Sequence, residues 1–327
     1  MMMDWTKAGE LLGSAEHVIV VTHVAPDGDA LGSLLGLTWG LRRLGKQVIP
    51  AVDGGIPASF AFLPGAADVV TSLNGVTADL IIAVDCGDES RMGSVGQAAL
   101  ATGADLINLD HHVTNTRFGQ ANLVDTQTVA ASEGILDWFQ RLGVEPDEQI
   151  ATCLLTGLVT DTLCFRTSNV TAQALGKAQQ LIEAGASLSE ITQRTVNRRA
   201  PGALQLWSVV LPSLQVEAEG ILWVVVDQAA RQKVDFSGDG DGGLISLLIA
   251  AAEAQIAIVF REKTDGRVEI GFRSVPGYNV ANVAVTLGGG GHAQASGCTV
   301  AGPLDAAIEK TLALARTAIQ EGSPLVS

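Results

Sequence analysis

The chain has 327 residues, 47% of them hydrophobic and 17% charged, with a formal net charge of −15. That length suits two domains with ample material for buried cores. The acidic balance excludes a protein that coats long nucleic acid through a broad basic face, though not one that holds a short anionic substrate with a metal and a few arginines. No run of roughly 18 uncharged apolar residues reads as a membrane span. Residues 1–7 lack a basic stretch followed by an apolar one, so no signal peptide is expected and a cytoplasmic location is. The four cysteines, Cys86, Cys153, Cys164 and Cys298, show no C-x-x-C pairing and read as reduced thiols.

In chain order, Asp4 suits the cap of a short helix through Leu12. Residues 17–22 are β-branched and read as a buried strand. It runs into His23-Val-Ala-Pro-Asp27-Gly-Asp29, then a helix over 30–44, where the small Gly32, Ser33 and Gly36 would let the helix lie close to the sheet. A helix cap plus a loop histidine would explain this stretch; a histidine and two acids just past a strand also form a metal-binding pattern. Residues 47–52 and 79–84 are further strands, the second ending at Asp85-Cys-Gly-Asp88. Asp88 reads as a cap outside any site, and Cys86 as a small packing residue, because no base partner for a thiol is in view. A strand over 104–109 leads to Asp110-His111-His112, where adjacent histidines on an extended chain would point different ways. Helices follow over 129–142, 147–160 and 171–184, the last stopped by Gly185. Asp161 stands in an apolar, hydroxyl-rich stretch where an unpaired carboxylate would be costly, and Arg166 follows it closely.

Strands alternating with helices define an α/β domain. In an open parallel sheet ligands collect at the carboxyl ends of the strands. Three strand exits therefore deliver His23, Asp85 and Asp110 to one sheet edge. So many like charges would repel without a cation among them, and their number suits two.

Residues 187–204 read as a helical connector, with Arg194, Arg198 and Arg199 as a solvated face or a basic wall. The second domain should open with a hairpin over 214–217 and 221–226. A mobile Gly/Asp-rich loop over 235–243, a helix over 243–252, and a hairpin over 255–261 and 267–273 come next. Four glycines, Gly288, Gly289, Gly290 and Gly291, precede His292, a backbone that can present N–H groups to an anion, with Arg273 on a nearby strand. A helix over 304–319 closes the chain.

His23-x3-Asp27-x-Asp29, Asp85, Asp110-His111-His112 and Asp161 together resemble the four motifs of the DHH phosphoesterases. The stretch from Gly288 to Gly297 resembles the signature of the DHH-associated domain. The resemblance covers nearly the whole chain and implies an α/β fold. An N-terminal parallel-sheet domain (1–186) with the metal site, a linker (187–204) and a smaller α/β substrate-binding domain (205–327) would make it up. It implies two manganese ions, with magnesium or cobalt as substitutes. His23 and Asp27 would hold one, Asp29, His111 and Asp161 the other, and Asp85 would bridge. Asp110 would orient a histidine and His112 would face the scissile phosphate. Arg166, Arg273, His292 and the Gly288–Gly291 backbone would contact substrate.

The length, without extra domains, is most like the branch that cleaves nano-RNA and short DNA to mononucleotides and removes phosphate from 3′-phosphoadenosine 5′-phosphate. The partners would be short single-stranded oligonucleotides and small nucleotides, with a homodimer left open. Phosphodiester hydrolysis fits: two cations about 4 Å apart can bridge a hydroxide and clamp the attacked group. Direct attack without a covalent intermediate is expected. The rivals are a phosphodiesterase for cyclic dinucleotides or their linear products, a catalytically silent nucleotide sensor, a pyrophosphatase or exopolyphosphatase, and an exonuclease on long single-stranded DNA. The glycine-rich stretch argues against the pyrophosphatase, and the missing basic channel against the exonuclease.

Overall fold

The computed structural model describes residues 3–197, 199–234 and 240–322. Arg198 of the basic wall and residues 235–239 of the Gly/Asp-rich loop lie outside them. The chain divides into two units, Met1–Arg198 and Arg199–Ser327.

The first unit runs α1 (Trp5–Ser14), β1 (His17–Val21), α2 (Gly28–Arg43), β2 (Gln47–Ala51), β3 (Leu80–Val84), α3 (Gly93–Leu100), β4 (Asp105–Asp110), β5 (Ala121–Val124), α4 (Ala131–Leu142), α5 (Glu148–Asp161), α6 (Ala172–Glu183) and α7 (Leu188–Thr192). Its five strands are all parallel, in the order β2-β1-β3-β4-β5. β3 is buried at every position, as a strand covered on both faces must be. Val18, Val20, Leu80 and Ile82 face a core shared with α2, α4 and α5. Ile19, Val21, Ile81 and Ala83 face a second core with Val95 and Ala99 of α3. The chain leaves β1 toward β2 on one side and returns to β3 on the other, so the sheet changes winding direction between β1 and β3, where a ligand crevice is expected.

Four glycines at every fourth position, Gly28, Gly32, Gly36 and Gly40, line one face of α2. A methyl group at Gly28 would collide with Thr160, at Gly32 with the Cys153 carbonyl, at Gly36 with Leu154 and at Gly40 with the Phe139 ring. The small residues therefore bring α2 against α5 and α4, not against the sheet as the sequence reading held. Glycine costs a helix about 1 kcal/mol per residue; here it permits a helix–helix approach that any side chain would prevent.

The second unit runs α8 (Pro201–Val210), β6 (Gln215–Val216), β7 (Ile221–Val226), α9 (Gln228–Lys233), α10 (Leu244–Leu248), β8 (Ile256–Glu262), β9 (Arg267–Ser274), α11 (Val280–Thr286), β10 (Gly290–His292), β11 (Ala295–Ala301) and α12 (Leu304–Glu321). The sheet order is β10-β11-β9-β8-β7-β6, antiparallel except for β7 with β8. β9 alternates cleanly: Val268, Ile270 and Phe272 join the core under α11 and α12, while Arg267, Glu269, Gly271 and Arg273 face the other way.

Both expected hairpins form. The helix expected over 243–252 is only α10, and β5, α9 and the β10–β11 hairpin were not foreseen. Asp4 stands before α1 without capping it; its carboxylate accepts from the Asn122 amide at 3.0 Å. Gly290 and Gly291 are strand residues paired with Gly297 and Ser296, so the glycine run is half edge strand and not a loop throughout.

Candidate metal centre

Asp85 is the hub. It follows β3 directly with φ of 52°, a left-handed backbone that costs a non-glycine residue energy and turns its carboxylate back over the sheet edge. Asp85 Oδ2 lies 3.5 Å from His23 Nε2, and Oδ1 lies 3.6 Å from both His111 Nε2 and His112 Nδ1. These separations are too long for hydrogen bonds. Asp85 Oδ1 is buried and has no hydrogen-bond partner, an arrangement that costs roughly 1–3 kcal/mol if nothing compensates it.

Each neighbour is aimed by its element. His23 lies just past β1, and its Nδ1 bonds the Val24 carbonyl at 2.8 Å, which turns Nε2 toward Asp85. Asp27 caps α2 through one oxygen, Oδ1, which accepts from the Asp29 and Ala30 amides. Asp29, one residue into that helix, is fully buried. It accepts from the backbone amides of Ala131 and Ser132 at the start of α4, and from the hydroxyls of Ser33 and Ser132. Gly157 is glycine because a methyl group there would collide with Asp29 Oδ1 and Ser132 Oγ. Asp161 is the last residue of α5, and its Oδ2 stands 3.4 Å from His111 Nε2.

Asp110 ends β4. Its Oδ1 meets His112 Nδ1 at 2.7 Å and its Oδ2 accepts from Asn115 Nδ2 at 2.6 Å. The adjacent histidines do not diverge as an extended chain would require. Past Asp110 the strand has ended, and the two rings lie 4.6 Å apart with both reaching the same Asp85 oxygen.

Burial raises the Asp29 carboxyl to about 6, with Asp85 adding to the effect. Burial likewise pushes Asp161 up, helped by Asp29. Burial opposes charge on His111, yet Asp85, Asp161 and Asp29 outweigh it and hold that imidazole at about 10. Burial works against Asp85 too, but His111 and His23 pull its carboxyl well below the usual range. Burial lifts the Cys86 thiol to about 12, so it supplies no thiolate.

Within the first unit, three groups of donor atoms each gather within 4.8 Å: His23, Asp27 and Asp85; Asp29, His111 and Asp161; and Asp85, Asp110, His111 and His112. All donors are carboxylate oxygen or imidazole nitrogen, which suits manganese, magnesium or a similar ion better than a thiophilic one. With the orphaned Asp85 oxygen between the first two groups, these residues fit a pair of divalent cations.

Of the other expected residues, Arg166 is exposed and donates to the Leu163 carbonyl at 2.7 Å. It follows three consecutive non-glycine residues with positive φ, Leu163, Cys164 and Phe165. In the second unit Arg273 and His292 share one sheet face through Ala295, which pairs with both. Gly288 and Gly291 have positive φ, and a methyl group at Gly289 would collide with the Gly297 carbonyl. Sequence reasoning missed Asn115, Asn108, Ser33 and Ser132. Asn115 Nδ2 also reaches Asn108 Oδ1 at 2.8 Å, and Asn108 donates to the Cys86 carbonyl, so a polar chain braces Asp110 from behind. Asn115 lies only five positions past Asp110, a spacing that could have flagged it.

Carboxylates and imidazoles gathered at the switch point of a parallel sheet, in a chain that also carries a separate mixed-sheet unit, mark a hydrolase of the phosphoester-cleaving class. Residues 17–158 match the DHH family, N-terminal domain, and residues 225–321 match the DHHA1 domain. The chain is 36% identical over 321 residues to the bifunctional oligoribonuclease and PAP phosphatase NrnA of Thermus thermophilus, covering 95% of this chain and 94% of that protein. An exopolyphosphatase-related protein from Bacteroides fragilis shares the fold with a TM-score of 0.89 at 23% identity, over 97% of this chain and 96% of that one. RecJ from Thermus thermophilus in complex with Mn2+ shares it with a TM-score of 0.58 at 16% identity, over 97% of this chain and 55% of that one. The chain belongs to the DHH family and carries the DHHA1 domain that matches alongside it.

Proposed function

We propose that this hydrolase cleaves short oligonucleotides to mononucleotides and converts 3′-phosphoadenosine 5′-phosphate to AMP and phosphate. The observation that carries the reading is the convergence of His23, His111 and His112 on the buried Asp85 carboxylate, one oxygen of which has no hydrogen-bond partner. The likeness to the Thermus oligoribonuclease and PAP phosphatase supports the choice of substrates. His23, Asp27 and Asp85 would hold one manganese ion, and Asp29, His111 and Asp161 the other, with Asp85 shared. Such a pair supplies Lewis acidity at the phosphoryl oxygens and lowers the pKa of water.

The chain's own groups do the rest. The Asp110 carboxylate accepts from His112 Nδ1 and orients the ring, so that His112, when it carries a proton on Nε2 as well, would donate it in a hydrogen bond to a phosphoryl oxygen as charge builds there. Asn115 keeps Asp110 from rotating. The serines and amides around Asp29 orient its carboxylate, as outer partners of metal ligands commonly do. Arg273, His292 and the Gly288–Gly291 backbone would take the far end of the nucleotide. Arg166 would meet a phosphate through its Nη groups while its Nε stays on the Leu163 carbonyl.

The test is a substrate panel with manganese and Asp85→Ala as control: RNA and DNA from dinucleotides upward, 3′-phosphoadenosine 5′-phosphate, cyclic dinucleotides and pyrophosphate. Mononucleotide release from the shortest oligomers, lost in the control, supports the reading. Turnover of pyrophosphate alone, or of cyclic dinucleotides alone, would overturn it.

A further inference from the structure

Glu133 is a carboxylate that the proposed chemistry does not use. It is the third residue of α4, only 2% exposed, and belongs to none of the donor groups gathered in the first unit. An acid this buried is rare unless something pairs it. Lys177 of α6 does so, with its own side chain 11% exposed. An ammonium has three protons to give. Around Lys177 Nζ stand Glu133 Oε1 at 3.2 Å, the Glu133 carbonyl at 3.2 Å and Asp137 Oδ1 at 2.8 Å. The other Glu133 oxygen, Oε2, accepts from the Val129 amide at 2.8 Å. One side chain thus ties α6, the first turn of α4 and the segment leading into it.

A buried ion pair is a poor source of stability, since an apolar pair of similar size often does as well or better. Its use is therefore sought in what it holds in place.

It holds the entry to α4. Ala130 occupies the cap position in an extended conformation, with no side chain able to cap. Serine, threonine, aspartate or asparagine is the usual choice there. The helix is capped from outside instead: the Ala131 amide donates to Asp29 Oδ2 at 2.6 Å and the Ser132 amide to Asp29 Oδ1 at 3.1 Å. Asp29 belongs to α2, so where α4 begins decides which way that carboxylate points. Val129, Ala130 and Ala131 are buried and apolar, and Glu133 Oε2 supplies the side-chain acceptor at their turn into the helix. A shifted helix start would carry both amides away and let the Asp29 carboxylate rotate off the second ion position, and metal sites tolerate little such movement.

We propose that Glu133, clamped by Lys177, is a positioning residue for the second ion: it fixes the start of α4, and the start of α4 fixes Asp29. The proposal rests on the paired-ion reading above and adds a group outside the ligands that controls one ion and not the other.

Calorimetry of manganese binding to the full chain, without substrate, tests it. Wild type should take up two ions, with Asp27→Asn marking loss at the first position and Asp29→Asn loss at the second. Glu133→Ala should weaken the ion that Asp29→Asn weakens, by about 10- to 100-fold, and spare the ion that Asp27→Asn weakens. Glu133→Gln keeps an acceptor for the Val129 amide but gives up the charge facing Lys177. It should act in the same direction to a smaller degree, and it carries the test if the alanine variant does not melt cooperatively. Lys177→Met should weaken the same ion. On an Asp29→Asn background Glu133→Gln should add no further loss, because the effect passes through Asp29. Undiminished affinity for both ions in folded Glu133 variants, equal loss at both, or a full additional loss on the Asp29→Asn background overturns the proposal and leaves the paired ions standing. A wild type that takes up a single ion overturns the paired-ion reading, and this inference with it.

Discussion

Asp85 has one oxygen that no protein donor satisfies, set between imidazoles too distant to bond it. Divalent ions should therefore stabilise the folded chain. Manganese at about a hundred times its dissociation constant adds roughly 2.7 kcal/mol, a rise in Tm of roughly 5–10 °C for a unit of this size. EDTA should reverse the shift, and Asp85→Ala should abolish most of it along with turnover; a melt indifferent to metal would count against the site. Asn115 makes a second case. Its removal leaves Asp110 Oδ2 short of a donor and lets His112 swing. Asn115→Ala should lower kcat about 10- to 100-fold while the chain still melts cooperatively, and an unchanged kcat would remove it from the bracing chain. Ser132 was not legible in the sequence, because hydrogen-bonding side chains carry no periodic signal, and Asn115 was marked only by its place five positions past Asp110. The carboxylates and histidines were legible because charge at the end of an apolar run is costly and so conspicuous.

The seam between α2 and α5 is built from glycine. Gly32→Ala would gain helix propensity but drive a methyl group into the Cys153 carbonyl, a net loss of about 1–3 kcal/mol, read as a lower urea midpoint. A shorter-range contact governs α3. Asp53 bridges from the loop after β2 to accept from the Ser94 amide and hydroxyl and the Val95 amide. Burial opposes the ionised form, but these bonds outweigh it and hold the Asp53 carboxyl below its ordinary value. Because the folded value lies below the unfolded one, this stability is present above the unfolded value and is lost as pH falls through the folded one. Asp53→Asn exchanges a charged acceptor for a neutral one and should cost up to about 1 kcal/mol near neutrality, and the difference from wild type should vanish in acid. The main strands and helices were readable because β-branched runs and 3.6-residue spacing repeat along the chain. The glycine spacing in α2 was visible too, but not its target, since sequence does not say which surface a bare helix face meets. β5 has four residues and α9 six, too short for periodicity to separate them from loop.

At the scale of the whole molecule, the net charge of −15 leaves few cations to meet a substrate. If only Arg166 and Arg273 contact phosphate, the logarithm of affinity should fall with the logarithm of salt at a slope near −1.4, about −0.7 per contact for a single strand. A slope several times steeper would reveal a basic track not described above. The centre also has a history within each molecule. His23 and Asp161 are far apart in the sequence of the first unit, and their proposed partners come from β3, β4 and the start of α2. The first proposed set, His23, Asp27 and Asp85, is present once β3 is made, but the second, Asp29, His111 and Asp161, would stay incomplete until α5 docks in its glycine seam. Filling of the second position would then be the later event, and its uptake of an ion would date the completion of the first unit.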